Sequence, residues 1–96
     1  MRKLKYVCVE WFHDFSDEPV KIYSEIDNER YEIRKVELFK DGIYGYAYEN
    51  IEIGKTGLGE IPFPEDLNEI NENPKFKAIE ITKEDFEKVW NRIQDK

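Results

Sequence analysis

The one histidine of the chain, His13, stands in "WFHDFSDEP", with Asp14, Asp17 and Glu18 after it and Glu10 before it. A histidine among carboxylates is minimal equipment for general acid–base catalysis, because an adjacent carboxylate orients the ring and makes it more basic. His13 with Asp14, Asp17 or Glu18 is therefore the candidate centre of a small hydrolase or a metal-dependent enzyme. The spacing gives it little support. A catalytic zinc takes about three converging protein ligands. With one histidine the remainder would be carboxylates, which suit Mg²⁺ or Ca²⁺ better. Neither the Asp/Asn-Gly spacing of a calcium loop nor the two-histidine spacing of a zincin occurs. If the first strand runs straight on, the period of two puts His13 on the side of Val7, Val9 and Trp11, away from Cys8. The stretch closed by Pro19 then reads as a polar turn between two strands, with no catalytic residue, metal or cofactor assigned.

Other constellations are weaker. "GKTG", Gly54 to Gly57, resembles part of a phosphate loop, but a Walker A motif requires glycine where this chain has Glu49, and a helix where Gly57 follows Thr56. Cys8 lies mid-strand among apolar neighbours, where a thiol is a small inert hydrophobe. Ser16 and Ser24 lack a nucleophile elbow. The row Tyr44, Tyr46 and Tyr48 is more informative, because tyrosines beside cationic side chains are enriched where proteins anchor one another. Together with Lys35 and Glu37 these tyrosines form the candidate protein-binding face.

The elements that must carry these residues follow from periodicity. Lys3 to Trp11 and Val20 to Ile26 alternate as strands, and Asp27 to Glu29 is a turn before a third strand from about Arg30 to Lys40. "LFKDGIYGYAY" reads as a hairpin with Asp41 and Gly42 as a two-residue type I′ loop. That register pairs Phe39 with Tyr44, Leu38 with Gly45, Glu37 with Tyr46, Val36 with Ala47 and Lys35 with Tyr48. One face then carries Val36, Leu38, Ile43, Gly45 and Ala47 as a shallow trough, and the other carries the tyrosines with Lys35 and Glu37. Phe86, Val89, Trp90 and Ile93 recur at helical spacing, capped by Thr82 and Asp85, and are predicted to fill the trough. Residues 50–64 read as loop with at most one short extended piece. A short helix begins at Pro64 and buries Leu67 and Ile70, and Lys75 to Ile81 is a further strand.

Composition sets the outer bounds. The 96 residues make a single domain, 1–96, and 40% apolar with 15% aromatic residues suffice for a packed core, which excludes intrinsic disorder. Fifteen basic against twenty-two acidic side chains give a formal charge of −7. That field repels phosphate backbones and anionic lipid, so no nucleic-acid or membrane partner is expected, and a basic protein partner is the complementary choice. A lone cysteine excludes an intrachain disulfide, and no apolar stretch approaches the roughly 20 residues of a membrane span. The expected location is cytoplasmic.

The chain also resembles a family of short acidic bacterial proteins classed as a domain of unknown function. The resemblance is carried by "W-x-H" at Trp11 to His13, "DEP" at Asp17 to Pro19, "RYEIRKVE" at Arg30 to Glu37, "YGYA" at Tyr44 to Ala47, and an acidic terminal helix with Trp90. It covers nearly the whole chain and departs from the family pattern at the Lys55–Thr56 loop. It implies a bacterial, cytoplasmic setting and brings no established activity or site residues.

These readings give an α+β fold, with an antiparallel sheet of four to five strands and both helices on one face. Two functional classes stand. One is a non-catalytic protein-binding module, such as an immunity-type inhibitor of a basic toxin. The other is the His13-centred enzyme.

Overall fold

The computed structural model describes residues 4–15, 18–54, 56–59, 63–64 and 66–94. Alternating segments form six strands: β1 (Lys5–Trp11), β2 (Pro19–Ile26), β3 (Glu32–Phe39), β4 (Tyr44–Tyr48), β5 (Ile51–Ile53) and β6 (Phe76–Ile81). Among the described residues two helices accompany them, α1 (Asn68–Asn71) and α2 (Lys83–Gln94). All strands join one antiparallel sheet in the order β5-β4-β3-β2-β1-β6. The fold class is α+β as predicted, with six strands instead of four to five. The addition is β5, the short extended piece after Glu49 and Asn50, which pairs Ile53 with Tyr46 and Ile51 with Tyr48.

The first five strands form a meander, so the chain must cross the whole sheet to place β6 beside β1. The described residues of the crossover, 56–59, 63–64 and 66–75, lie over one face and supply its cover. There Val7, Val9, Ile26 and Ala78 form a buried cluster against Ile22, Phe63, Leu67, Ile70 and Phe76. α1 is one turn, starting at Asn68 instead of Pro64, and belongs to this crossover face. Asn71 of α1 also occupies the outer edge of β6. Its amide donates to the Ala78 carbonyl at 3.1 Å, and its side-chain oxygen accepts from the Ala78 N–H at 2.6 Å, closing one pair of edge groups to strand addition.

α2 covers the other face. Thr82 accepts from the Asp85 N–H at 3.1 Å and Asp85 accepts from the Thr82 N–H at 3.4 Å, the reciprocal cap read from the sequence. Phe86, fully buried, meets Tyr6 at 5.5 Å between ring centroids. Trp90 packs edge-on against Tyr46 and Tyr48 at 5.6 and 5.4 Å. The two helices therefore lie on opposite faces. The prediction that both share one face fails because Leu67 and Ile70 arrive with the crossover and α2 arrives from the far end of β6.

The β3–β4 hairpin differs from its predicted register by one residue. Observed pairs are Leu38 with Tyr44, Glu37 with Gly45, Val36 with Tyr46, Lys35 with Ala47 and Arg34 with Tyr48. The loop has three residues. Gly42 donates to the Phe39 carbonyl, Phe39 donates to that of Ile43, and Gly42 takes φ +84°. This is a type I turn closed by a left-handed glycine, and Asp41 keeps a negative φ instead of the positive one that type I′ requires. A slip of one exchanges which side chains share a face. The tyrosines now accompany Val36 and Leu38 on the helix face, and Lys35 and Glu37 accompany Gly45 and Ala47 on the crossover face. The trough predicted for α2 therefore does not form: Val36 and Leu38 leave it for the helix face, and Thr56 fills the space over Gly45. A Cβ on Gly45 would collide with the Thr56 hydroxyl.

Candidate functional site

The opening turn places His13 next to Trp11 as the strand period required, with ring centroids 4.4 Å apart. Both ring nitrogens are engaged by backbone. Nδ1 accepts from the Phe15 N–H at 3.0 Å, so the proton resides on Nε2, which donates to the Pro19 carbonyl at 2.7 Å. The ring thus closes the turn and has no free nitrogen for a substrate or metal. Asp14 is exposed and Glu18 half-buried; Asp17 lies outside the described residues. Among the described residues no three His, Cys, Asp or Glu side chains converge as a metal site. Cys8 is buried, and burial pushes its thiol up, away from the thiolate.

The five-residue set Tyr44, Tyr46, Tyr48, Lys35 and Glu37 does not share a face. Tyr46 and Tyr48 lie under Trp90, where the prediction had them facing outward. Tyr44 sits at the far end of the helix face. Lys35 and Glu37 belong to a buried polar network beneath the crossover that the sequence reading missed. There Thr56 donates to Glu37 and Ser24 donates to Glu32, each at 2.7 Å, and the Gly59 N–H donates to Glu32 at 2.6 Å. Lys35 stands 3.6 Å from Glu32 and 3.7 Å from Glu37. Every polar group of this network is satisfied by another part of the chain, so it straps residues 56–59 to the sheet.

A second missed network fixes α2. Arg34 donates two 2.7 Å hydrogen bonds to Glu25 and two, at 3.1 and 3.2 Å, to Glu87. Its guanidinium lies 4.9 Å from the Phe86 ring centroid and 5.0 Å from that of Trp90. Burial alone would raise the Glu25 pKa. The bonds from Arg34 and Tyr6, with the charges of Arg34 and Lys83, hold it below the usual carboxylate value. The bonds to Glu25 raise Arg34 against the opposing effect of burial. Burial first, and donation to Glu25 second, push Tyr6 up to about 12. The signal available in the sequence was charge at positions 25, 32, 34 and 37, in mid-strand where half-buried positions are apolar by default.

What remains open is the end of the sheet opposite this network. A cleft of about 580 Å³ there is lined by Glu10, Trp11, Phe12, His13, Asp14, Val20, Lys21 and Leu38. Phe12 and Phe15 are 52% and 58% exposed, and Ile43 of the adjacent hairpin 64%. Lys21 holds its ammonium 5.7 Å from the Tyr23 ring centroid. Tyr23 raises the pKa of Lys21 while burial opposes it, so the cation persists at neutral pH. Glu10 and Asp14 make no ion pair with any described residue. A second recess of about 400 Å³, on the crossover face, is lined by Val9, Phe63, Ile70 and Phe76, with Glu69 and Asn73.

The arrangement is that of a sheet covered on both faces except at one end, where apolar side chains and unpaired carboxylates stand together. The chain belongs to the family described as "Domain of unknown function (DUF6881)", whose sequence pattern matches residues 5–95. No curated protein and no solved structure is significantly similar to it. Among the described residues no helix is long and apolar enough to cross a membrane.

Proposed function

We propose that this domain is a non-catalytic protein-binding module of the bacterial cytoplasm, and that it engages a basic partner through the open end of its sheet. An immunity-type inhibitor of a basic toxin is the narrower form of this reading, favoured by the charge of −7. The observation that carries the proposal is the conjunction of Phe12 and Phe15, each more than half exposed, with the unpaired Glu10 and Asp14 at the mouth of a cleft. Isolated exposed apolar residues are ordinary. Aromatics gathered around a concavity and rimmed by charge have the composition of an interface centre.

The binding set therefore moves from the tyrosine row to Phe12, Glu10, Asp14, Lys21 and Leu38, which line the cleft. No residue is common to both. Affinity capture from the native host tests it, using the wild-type chain and Phe12→Asp at low and raised salt. A stoichiometric basic protein should be retained by the wild-type chain, lost with Phe12→Asp and weakened by salt. Recovery of no such protein at low salt, or equal recovery by Phe12→Asp, refutes the reading.

A further inference from the structure

Thr56 to Gly59 are held over the sheet differently from the rest of the crossover. Phe63, Leu67 and Ile70 pack against the buried cluster of Val7, Val9, Ile26 and Ala78, whereas Leu58 belongs to neither apolar cluster and both its neighbours are glycines. Each hydrogen bond that the described residues give this segment ends on a charged side chain. Thr56 donates to Glu37 at 2.7 Å, the Gly59 N–H donates to Glu32 at 2.6 Å, and Lys35 donates to the Gly57 carbonyl at 3.4 Å. A third carboxylate closes on the segment from β5, where Glu52 stands 2.7 Å from the place a Cβ on Gly57 would take.

We propose that residues 56–59 are a latch that opens while the rest of the domain stays folded, and that its opening uncovers the buried carboxylates of Glu32 and Glu37. A segment held by polar contacts, with little apolar surface buried, opens at a lower free energy than the core does. On release each carboxylate exchanges a protein donor for water, and the segment, half of it glycine, regains the backbone freedom that folding removed. What stays behind is complete without it. β1 to β4 each keep a strand on both sides, and Ser24 and Lys35 remain as partners of Glu32. In the open form Glu32, Glu37 and Glu52 face solvent with Lys35 as the cation among them, three acids against one base, so the uncovered surface is negative. The latch shares no residue with the cleft, and the inference stands apart from the protein-binding reading.

Native-state hydrogen exchange of the ¹⁵N-labelled chain, under conditions where it reports equilibrium opening, separates local from global release. The Gly59 amide reports the latch, and the amides of β1, β2 and β3 report the core. Protection of Gly59 should be at least ~10-fold lower than that of the slowest core amides, and should fall less steeply with urea, since the latch exposes less surface than the whole domain. Phe86→Leu and Ile93→Val, on the α2 face, weaken contacts that the open form retains. They should lower core protection by at least ~3-fold and leave Gly59 unchanged within ~2-fold. Thr56→Val removes a bond that both kinds of opening break, and should speed Gly59 and the core alike. Equal urea dependence of Gly59 and the core, or loss of Gly59 protection in step with the core in Phe86→Leu and Ile93→Val, overturns the proposal, because the segment then opens only on global unfolding. Exchange of Gly59 at its unprotected rate also overturns it, since no closed latch would exist. Thiol labelling of Thr56→Cys gives a second readout: the introduced thiol should react ahead of Cys8, which is buried in β1, and the reverse order contradicts the latch.

Discussion

Arg34→Met is expected to destabilise the fold by about 3–5 kcal/mol, because it strands a carboxylate that the fold has removed from water. The size follows from the two arms of the guanidinium. The Glu25 side chain is 6% exposed and receives two 2.7 Å bonds, so removing Arg34 leaves a buried charge with the Tyr6 hydroxyl and the Lys83 charge as its remaining compensation. The Glu87 side chain is 30% exposed at 3.1 Å, and an ion pair of that kind contributes about 0–1 kcal/mol. Met refills the slot between Phe86 and Trp90, so little packing loss is added. In urea unfolding, with a slope near ~1.2 kcal/mol/M, the midpoint should fall by about 3 M. Against a total stability of about 5–10 kcal/mol the variant stays measurable. Arg34→Lys, which keeps charge but not the fork, should cost about 1–2 kcal/mol. Glu25→Gln/Arg34→Met should recover part of the loss, since no unpaired charge remains. The pH dependence has a fixed sign. Glu25 is held below its ordinary value in the folded chain, so its contribution is complete above the unfolded value of about 4 and disappears as pH falls through the lowered one. A loss below about 1 kcal/mol for Arg34→Met, or an equal cost for Glu87→Gln and Glu25→Gln, refutes the reasoning.

Three further outcomes follow from other parts of the fold. Glu49, exposed at φ +52°, should be replaceable by glycine with a gain of about 0.5–1 kcal/mol in chemical denaturation; a loss would show that its left-handed conformation is not strained. Gly45→Ala should cost about 2–4 kcal/mol, because its Cβ meets the Thr56 hydroxyl and breaks the bond to Glu37; a neutral result would place the 56–59 strap elsewhere. Tyr6 is raised to about 12 in the fold, so its contribution is whole below its unfolded value near 10 and is lost as pH climbs through 12. Alkaline titration of stability should show about 2–3 kcal/mol of this loss in the wild-type chain and less in Tyr6→Phe, and identical profiles would contradict it.

Much of the architecture was legible because it rests on local periodicity. The helical spacing of Phe86, Val89, Trp90 and Ile93, the Thr82–Asp85 cap and the alternation of β1 and β2 are each decided within a few residues. The hairpin was not decided locally, since Asp41-Gly42 serves a two-residue and a three-residue loop equally well. The better discriminator lay in the strands. Only the observed register brings Val36 and Leu38 beside the tyrosines and leaves Lys35 and Glu37 beside Gly45 and Ala47, where a polar crossover can satisfy them. The open end was partly visible, because His13 and its neighbours drew attention to the turn that borders it, although both ring nitrogens of His13 are engaged by backbone. The exposure of Phe12 depends on where α2 stops, and that depends on the path of the whole chain. The family's sequence pattern spans residues 5–95 and carries no function with it.

The most direct test is photo-cross-linking in the native host. Benzoylphenylalanine replaces Phe12 at the cleft in one strain, and Glu84 on the exposed first turn of α2 in another. The account predicts a single strong adduct to one basic protein from position 12 and none from position 84. An adduct from position 84 alone, or the same adduct from both, would contradict it.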